Sequence, residues 1–162
     1  MAGVRIRKAK VTDAVSMAEI LRDIGWSERR NKLPFKEVSG PIEKLIEHCD
    51  KDTEGHSMIV AVDDGDNALG FLTVHWVPFV MFGSWEGYIS DLFVRPSAGG
   101  MGIGKALVER IMEEGKRRGC MRLMLTNGKD KLSYKTGFYK KLGWTERPSV
   151  ANFVYYYREP WS

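Results

Sequence analysis

Four glycines fall within six residues at Gly99-Gly100-Met101-Gly102-Ile103-Gly104, and Lys105 follows directly. The run before them, Trp85 to Val94, is rich in strand-forming residues and ends at Pro96-Ser97-Ala98. The run after them is strongly periodic. Ile103, Leu107 and Ile111, with Val108 and Met112, make one apolar stripe, which predicts a helix over 101–118 closed by Gly119. A glycine turn that opens a helix lets backbone N–H groups approach an anion, and the helix dipole adds to the attraction. A turn that merely connects two elements is the plain alternative. So many glycines at a helix start favour a phosphate or pyrophosphate ligand.

The rest of the chain gives this unit its setting. Val4 to Arg7 alternates as a short strand. Thr12 or Asp13 then caps a helix whose apolar stripe is Ala14, Met17, Ala18, Leu21 and Ile24, ended by Gly25. Ser27 to Gly40 reads as polar and irregular, and a second helix is expected from Pro41 to Cys49. Met58 to Val62 and Leu69 to Val77 flank the turn Asp63-Asp64-Gly65-Asp66-Asn67 and predict an antiparallel hairpin. Met121 to Thr126 is a buried strand, Ser133 to Leu142 a shorter helix, and Asn152 to Arg158 a final aromatic strand. The order implies an α/β or α+β layered fold, one mixed sheet with helices on its faces, as a single domain over 1–162. The 162 residues, 43% hydrophobic, are enough for a core of that kind.

Charge and cysteine usage narrow the function classes. The net charge of +4 is mild. No aromatic-basic interleaving points to nucleic acid. The basic clusters Lys116-Arg117-Arg118 and Lys140-Lys141 suit helix C-termini, or attract a polyphosphate; both readings stand. Cys49 and Cys120 lack metal spacing and read as free thiols of a reducing compartment, with no metal site expected. The N-terminus carries no apolar signal core, and Leu69 to Phe82 is too short to span a membrane. A cytoplasmic location, with no nucleic-acid or membrane partner, is the expectation.

Three phosphate-binding patterns compete for the glycine loop. The dinucleotide pattern lacks its third glycine. Gly99 and Gly104-Lys105 match the spacing of a P-loop, but Ala106 offers no hydroxyl to magnesium. The third pattern fits better. Asp91-Leu92-Phe93-Val94-Arg95-Pro96 followed by Gly100-Met101-Gly102-Ile103-Gly104-Lys105-Ala106-Leu107 resembles the acyl-CoA signature of the GNAT N-acetyltransferase superfamily. That signature reads roughly Arg/Gln-x-x-Gly-x-Gly/Ala after a strand. Gly137-Phe138-Tyr139-Lys140-Lys141-Leu142-Gly143-Trp144 resembles the family's Phe-Tyr-x-Lys-Leu-Gly-Phe segment, and Arg5 to Ala14 resembles its opening strand and helix. The resemblance departs at Gly99, where relatives carry Arg or Gln.

The resemblance implies a mostly antiparallel central sheet with helices on both faces, and direct transfer of an acetyl group from acetyl-CoA to a primary amine of a small molecule or protein. The alternative is a non-catalytic acyl-CoA-binding module on the same fold. It places the cofactor against Gly99, Gly100, Met101, Gly102, Ile103, Gly104 and Lys105, with Phe138 from the second motif. The thioester oxygen needs donors as it becomes an oxyanion, a role that maps onto the amides of Leu92, Phe93 and Val94. The amine, with a pKa near ~10.4, must lose a proton to a base. Tyr139 is the candidate acid for the leaving thiolate.

For the base, unbroken alternation would put Asp91 on one face with Ile89 and Phe93, an apolar setting that raises a carboxylate's pKa. A structural Asp bonding nearby amides is the equal alternative. Some relatives carry Glu where this chain has Ser90, so that base is missing here. Glu86 is a second candidate, and His75, alone among apolar residues, a weaker one. Asn127 suits either the pantetheine arm or a turn with Gly128. Trp76, Phe79, Phe82 and Trp85 suit an acceptor pocket, the core or a homodimer contact.

Overall fold

A computed structural model describes residues 3–157. The elements are β1 (Arg5–Lys8), α1 (Ala14–Ile24), α2 (Glu28–Asn31), α3 (Phe35–Lys51), β2 (His56–Val62), β3 (Ala68–Phe79), β4 (Ser84–Val94), α4 (Ile103–Arg117), β5 (Cys120–Leu125), α5 (Leu132–Lys135) and α6 (Phe138–Lys141). They fall into two compact units, Met1–Met124 and Leu125–Ser162.

The first unit is built on a five-stranded sheet in the order β1-β2-β3-β4-β5, antiparallel from β1 to β4. Alternation divides the strands cleanly between two faces. Met58, Val60, Val62 and Phe71 form one core with Met17, Ala18 and Ile20 of α1 and Val38, Ile42 and Ile46 of α3. The other face holds Leu72, Val74 and Trp76, where α4 brings Ile103, Leu107, Val108 and Ile111, all buried. Ser57 Oγ donates to Glu114 of α4 at 2.9 Å and accepts from Trp76 Nε1 at 2.9 Å, tying that helix to the sheet. Gly87 leaves room at the same place, because a Cβ there would collide with Leu123 and Trp76.

A part-buried ion pair ties β1 to the turn that follows it. Arg7 reaches Asp13 through two bonds of 2.7 and 2.9 Å, and the same carboxylate accepts from the Lys10 N–H at 2.6 Å. Asp13 therefore closes the 3-10 turn Val11–Asp13 ahead of α1 instead of capping α1 with its side chain. Gly25 ends α1 in the left-handed conformation, as expected.

Three boundaries differ from the expectation. The second long helix begins at Phe35 and runs straight through Pro41. Gly40 has no Cβ to strike the proline ring, which removes the usual obstacle to a helical residue before proline. The buried row Val38, Ser39, Ile42, Ile46 and Cys49 rewards continuity. The expected helix over 133–142 is two short helices, because Gly137 is left-handed at φ 66°. Residues 152–157 of the expected final strand carry no strand pairing, and Arg158 lies outside the described residues.

Candidate active site

The site residues of the first unit are set by one irregularity in β4. Thr73 pairs with Asp91, yet its neighbour Val74 pairs with Ile89, so Ser90 is an extra residue in the strand. This bulge breaks the alternation. Ile89 is carried to the Val74 face and buried, while Asp91 sits on the Thr73 face with Phe93. The surroundings of Asp91 are polar, not apolar. Ser90 Oγ donates to Asp91 Oδ2 at 2.8 Å, and Ser90 Oγ lies 2.8 Å from His75 Nε2.

His75 is not a lone core histidine. Cross-strand pairing sets it opposite His56, and the two Nδ1 atoms are 2.8 Å apart. Burial, then the neighbouring His56, hold the His75 pKa below the usual 6.5, although Asp91 opposes this. The sequence did carry this signal: once the β2–β3 hairpin is in register, His56 and His75 must face each other. Glu86 stands on the same sheet face, but its carboxylate already accepts from Arg122 Nε at 2.6 Å.

Beyond the bulge, strand pairing sorts the amides. Arg95 N–H donates to Leu69 O on β3 at 2.8 Å. Amide directions alternate along a strand, so the Phe93 N–H also points to β3 while those of Leu92 and Val94 point to the other side, where β5 lies. Of the three expected oxyanion donors, Phe93 is thus committed to the sheet, and its ring packs edge-on against Trp26 at 4.7 Å. The Leu92 and Val94 amides lie on the side of β4 where β5 is its neighbour in the sheet.

The glycine loop then opens α4. Gly100 and Gly102 adopt φ 77° and 75°, conformations that a side chain disfavours. Gly102 is the N-cap, with no side chain closing the first turn. The opening amides of a helix have no partner within it. Here Ile103, Gly104 and Lys105 carry them, on a helix of fifteen residues. Ile103 sends its side chain into the core at 1% exposure, so only its backbone is left for a ligand. Met101 is exposed, and Lys105 pairs loosely with Glu109 at 3.7 Å. Gly99 has an ordinary φ of −59°.

In the second unit, Tyr139 packs its ring against Phe138 at 4.9 Å and Trp144 at 5.8 Å. Burial raises the pKa of its phenol above 10.0. Asn127 Oδ1 accepts from Ser133 Oγ at 3.1 Å, which fixes the turn before α5. Among the expected pocket aromatics, Trp76 is core, Phe79 lies under the Arg122 guanidinium at 4.3 Å, and Phe82 and Trp85 are exposed. The Lys116-Arg117-Arg118 cluster is partly structural, since Arg118 binds Glu114 at 2.9 Å and lies over the Trp76 ring at 4.7 Å.

Residues 19–144 match the acetyltransferase (GNAT) family. The chain belongs to that family. Its relatives include thialysine N-epsilon-acetyltransferase of Mus musculus, 22% identical over 77% of this chain and 75% of that protein. Glucosamine 6-phosphate N-acetyltransferase of Trypanosoma brucei brucei is 37% identical over 40% of this chain and 42% of its own length. Among solved structures, a transcriptional regulator from Bacillus halodurans C-125 superposes with a TM-score of 0.79 at 28% identity, covering 95% of this chain and 99% of that one. Glucosamine-6-phosphate N-acetyltransferase from Arabidopsis thaliana shares the fold, with a TM-score of 0.74 at 20% identity over 96% of this chain and 99% of that one. This GNAT protein is thus an acyltransferase by family. No metal-holding cluster occurs among the described residues, and no helix among them is long and apolar enough to cross a membrane.

Proposed function

We propose that this GNAT protein transfers an acetyl group from acetyl-CoA directly to a primary amine. The observation that carries the reading is the uncapped N-terminus of α4, opened by left-handed Gly100 and Gly102 and following β4 with its bulge at Ser90. The glycine backbone and first-turn amides fit a pyrophosphate, with no Cβ at 100, 102 or 104 to block close approach. The amides of Leu92 and Val94, on the β5 side of the strand, serve as donors to the thioester oxygen, whose charge grows in the transition state.

Asp91 takes the proton of the attacking amine. It is preferred to Glu86 because the Glu86 carboxylate is neutralised by Arg122. Tyr139 returns a proton to the leaving thiolate. Its raised pKa keeps the phenol protonated throughout the neutral range, as an acid must be. Chain residues do all the chemistry, so no metal is required.

An amine panel offered with acetyl-CoA, read as free thiol release, tests the reading. Tyr139→Phe is expected to lower kcat by about 10²-fold with little change in the KM for acetyl-CoA. Unchanged turnover removes Tyr139 from the acid's role. Tight CoA binding without transfer to any amine replaces the transferase reading with that of an acyl-CoA-binding module.

A further inference from the structure

Ser90, His75 and His56 continue the polar line that begins at Asp91. From Asp91 Oδ2 to Ser90 Oγ is 2.8 Å, from Ser90 Oγ to His75 Nε2 is 2.8 Å, and from His75 Nδ1 to His56 Nδ1 is 2.8 Å. The line ends at His56 Nε2, 3.7 Å from the exposed carboxylate of Asp52 and beside the exposed ring of His48. We propose that this line is a proton relay, carrying the acceptor amine's proton from Asp91 across β3 to His56 at the start of β2. The proposal rests on the transferase reading above.

Hydrogen counting supports a relay over a static brace. A neutral imidazole has one N–H and one lone pair. Two Nδ1 atoms at bonding distance need one of each, so the rings hold opposite tautomers. Two complete patterns then satisfy every contact. In the first, His56 Nδ1–H donates to His75, His75 Nε2–H donates to Ser90, and Ser90 donates to the Asp91 carboxylate. In the second, protonated Asp91 donates to Ser90, Ser90 to His75 Nε2, His75 Nδ1–H to His56 Nδ1, and His56 Nε2–H faces Asp52 and solvent.

The patterns share every heavy-atom contact and differ by one proton. Passing from the second to the first moves each hydrogen one step outward. Asp91 loses the proton that it took from the amine, and His56 Nε2 releases one to water. Once the acetylated product has left, His56 Nε2 takes a proton from water, His56 Nδ1–H passes its hydrogen to His75 Nδ1, His75 Nε2–H gives its own to water at the exposed Ser90, and rotation of the Ser90 hydroxyl restores the starting pattern. Ser90 and Asp91 form the end open to substrate, and a bound acceptor covers that end. The exit through β3 and β2 stays clear of it.

His75 must stay neutral to pass protons. The groups facing it are His56 on β2 and Tyr88, Ser90 and Asp91 on β4, while His48 and Asp52 of α3 face His56. Burial and His56 hold its pKa down. His75 and His56 are positioning and relay residues, since Asp91 alone meets the amine.

The test compares His75→Gln, His56→Gln and Ser90→Ala with the wild type. His75→Gln is expected to lower kcat by about tenfold near neutral pH, with unchanged calorimetric affinity for CoA. The deficit should shrink as pH rises toward the acceptor's own pKa, where the amine arrives already deprotonated, and added imidazole should restore part of the rate. In the wild type, nitrogen-15 spectra of the two rings should show them sharing one hydrogen between the Nδ1 atoms, with opposite tautomers. A kcat unchanged in His75→Gln, or a deficit equal at every pH, overturns the relay while leaving the transferase reading intact. Rings that share no hydrogen overturn it as well. Wild-type protein that binds CoA but acetylates no amine overturns the transferase reading, and the relay with it.

Discussion

Gly99 falls where the acyl-CoA signature that the loop resembles has Arg or Gln, and its backbone does not require glycine. Its φ is −59°, and an added Cβ would meet only Pro96 O at 3.1 Å within 4 Å. The site thus lacks a cation that its geometry could accommodate with a small shift. Gly99→Arg is expected to tighten acetyl-CoA binding about fivefold, the equivalent of ~1 kcal/mol for an exposed charge contact. The gain should fade at high salt and leave kcat unchanged. Calorimetry at two ionic strengths checks it, and equal affinity in both proteins places the pyrophosphate away from residue 99. Gly100 and Gly102 are different, because their left-handed φ makes any side chain costly. The loop's place was legible in the sequence for that reason: glycines bunched after a strand and before a periodic apolar stripe mark the turn that opens α4. Ser90 was not legible, since a bulge depends on cross-strand register and not on the strand's own residues. It read as the place where a base had been lost, whereas the structure makes it the hydroxyl that links Asp91 to His75.

At the scale of elements, most strands and helices followed their periodicity, and two of the errors sit where a single residue overrules it. The hairpin β2–β3 and the stripe of α4 were read with boundaries shifted by a few residues. Local signals misled at Pro41, because proline normally ends a helix, while the buried row running from Val38 to Cys49 keeps this one whole. Gly137 misled in the opposite sense, since helical spacing of Tyr134, Phe138 and Leu142 survives on paper across a residue that leaves the helix. The continuity of α3 has a cost that can be measured. Pro41 supplies no N–H to the carbonyl of Glu37 and crowds it. Pro41→Ala should restore that bond and raise stability by about 1–2 kcal/mol, the interior-proline penalty of ~3 kcal/mol less the entropy that proline removes from the unfolded chain. Urea melts of the two proteins decide it. An unchanged midpoint would mean that α3 already relaxes around the ring.

For the whole molecule, the shifted groups bound a pH range of best stability on both sides. His75 binds protons less readily folded than unfolded, because burial lowers its pKa from 6.5. Below about 6.5 the unfolded chain therefore takes up more protons, and stability falls as pH falls through the His75 window. The half-buried carboxylates Asp63, Asp66 and Glu146 are held below their ordinary values by hydrogen bonds, so their contributions fade only under more acidic conditions. On the alkaline side, burial raises the thiols of Cys49 and Cys120 above 9.0. The unfolded chain then loses protons first, and stability falls as pH climbs past that value. Urea midpoints should accordingly be flat between about 6.5 and 9 and decline on either side. Replacing His75 with Gln should flatten the first acid decline while leaving the alkaline one in place. A wild-type slope near pH 6 that survives the substitution would move that proton uptake to another group, and would remove the support that a neutral His75 gives to the relay.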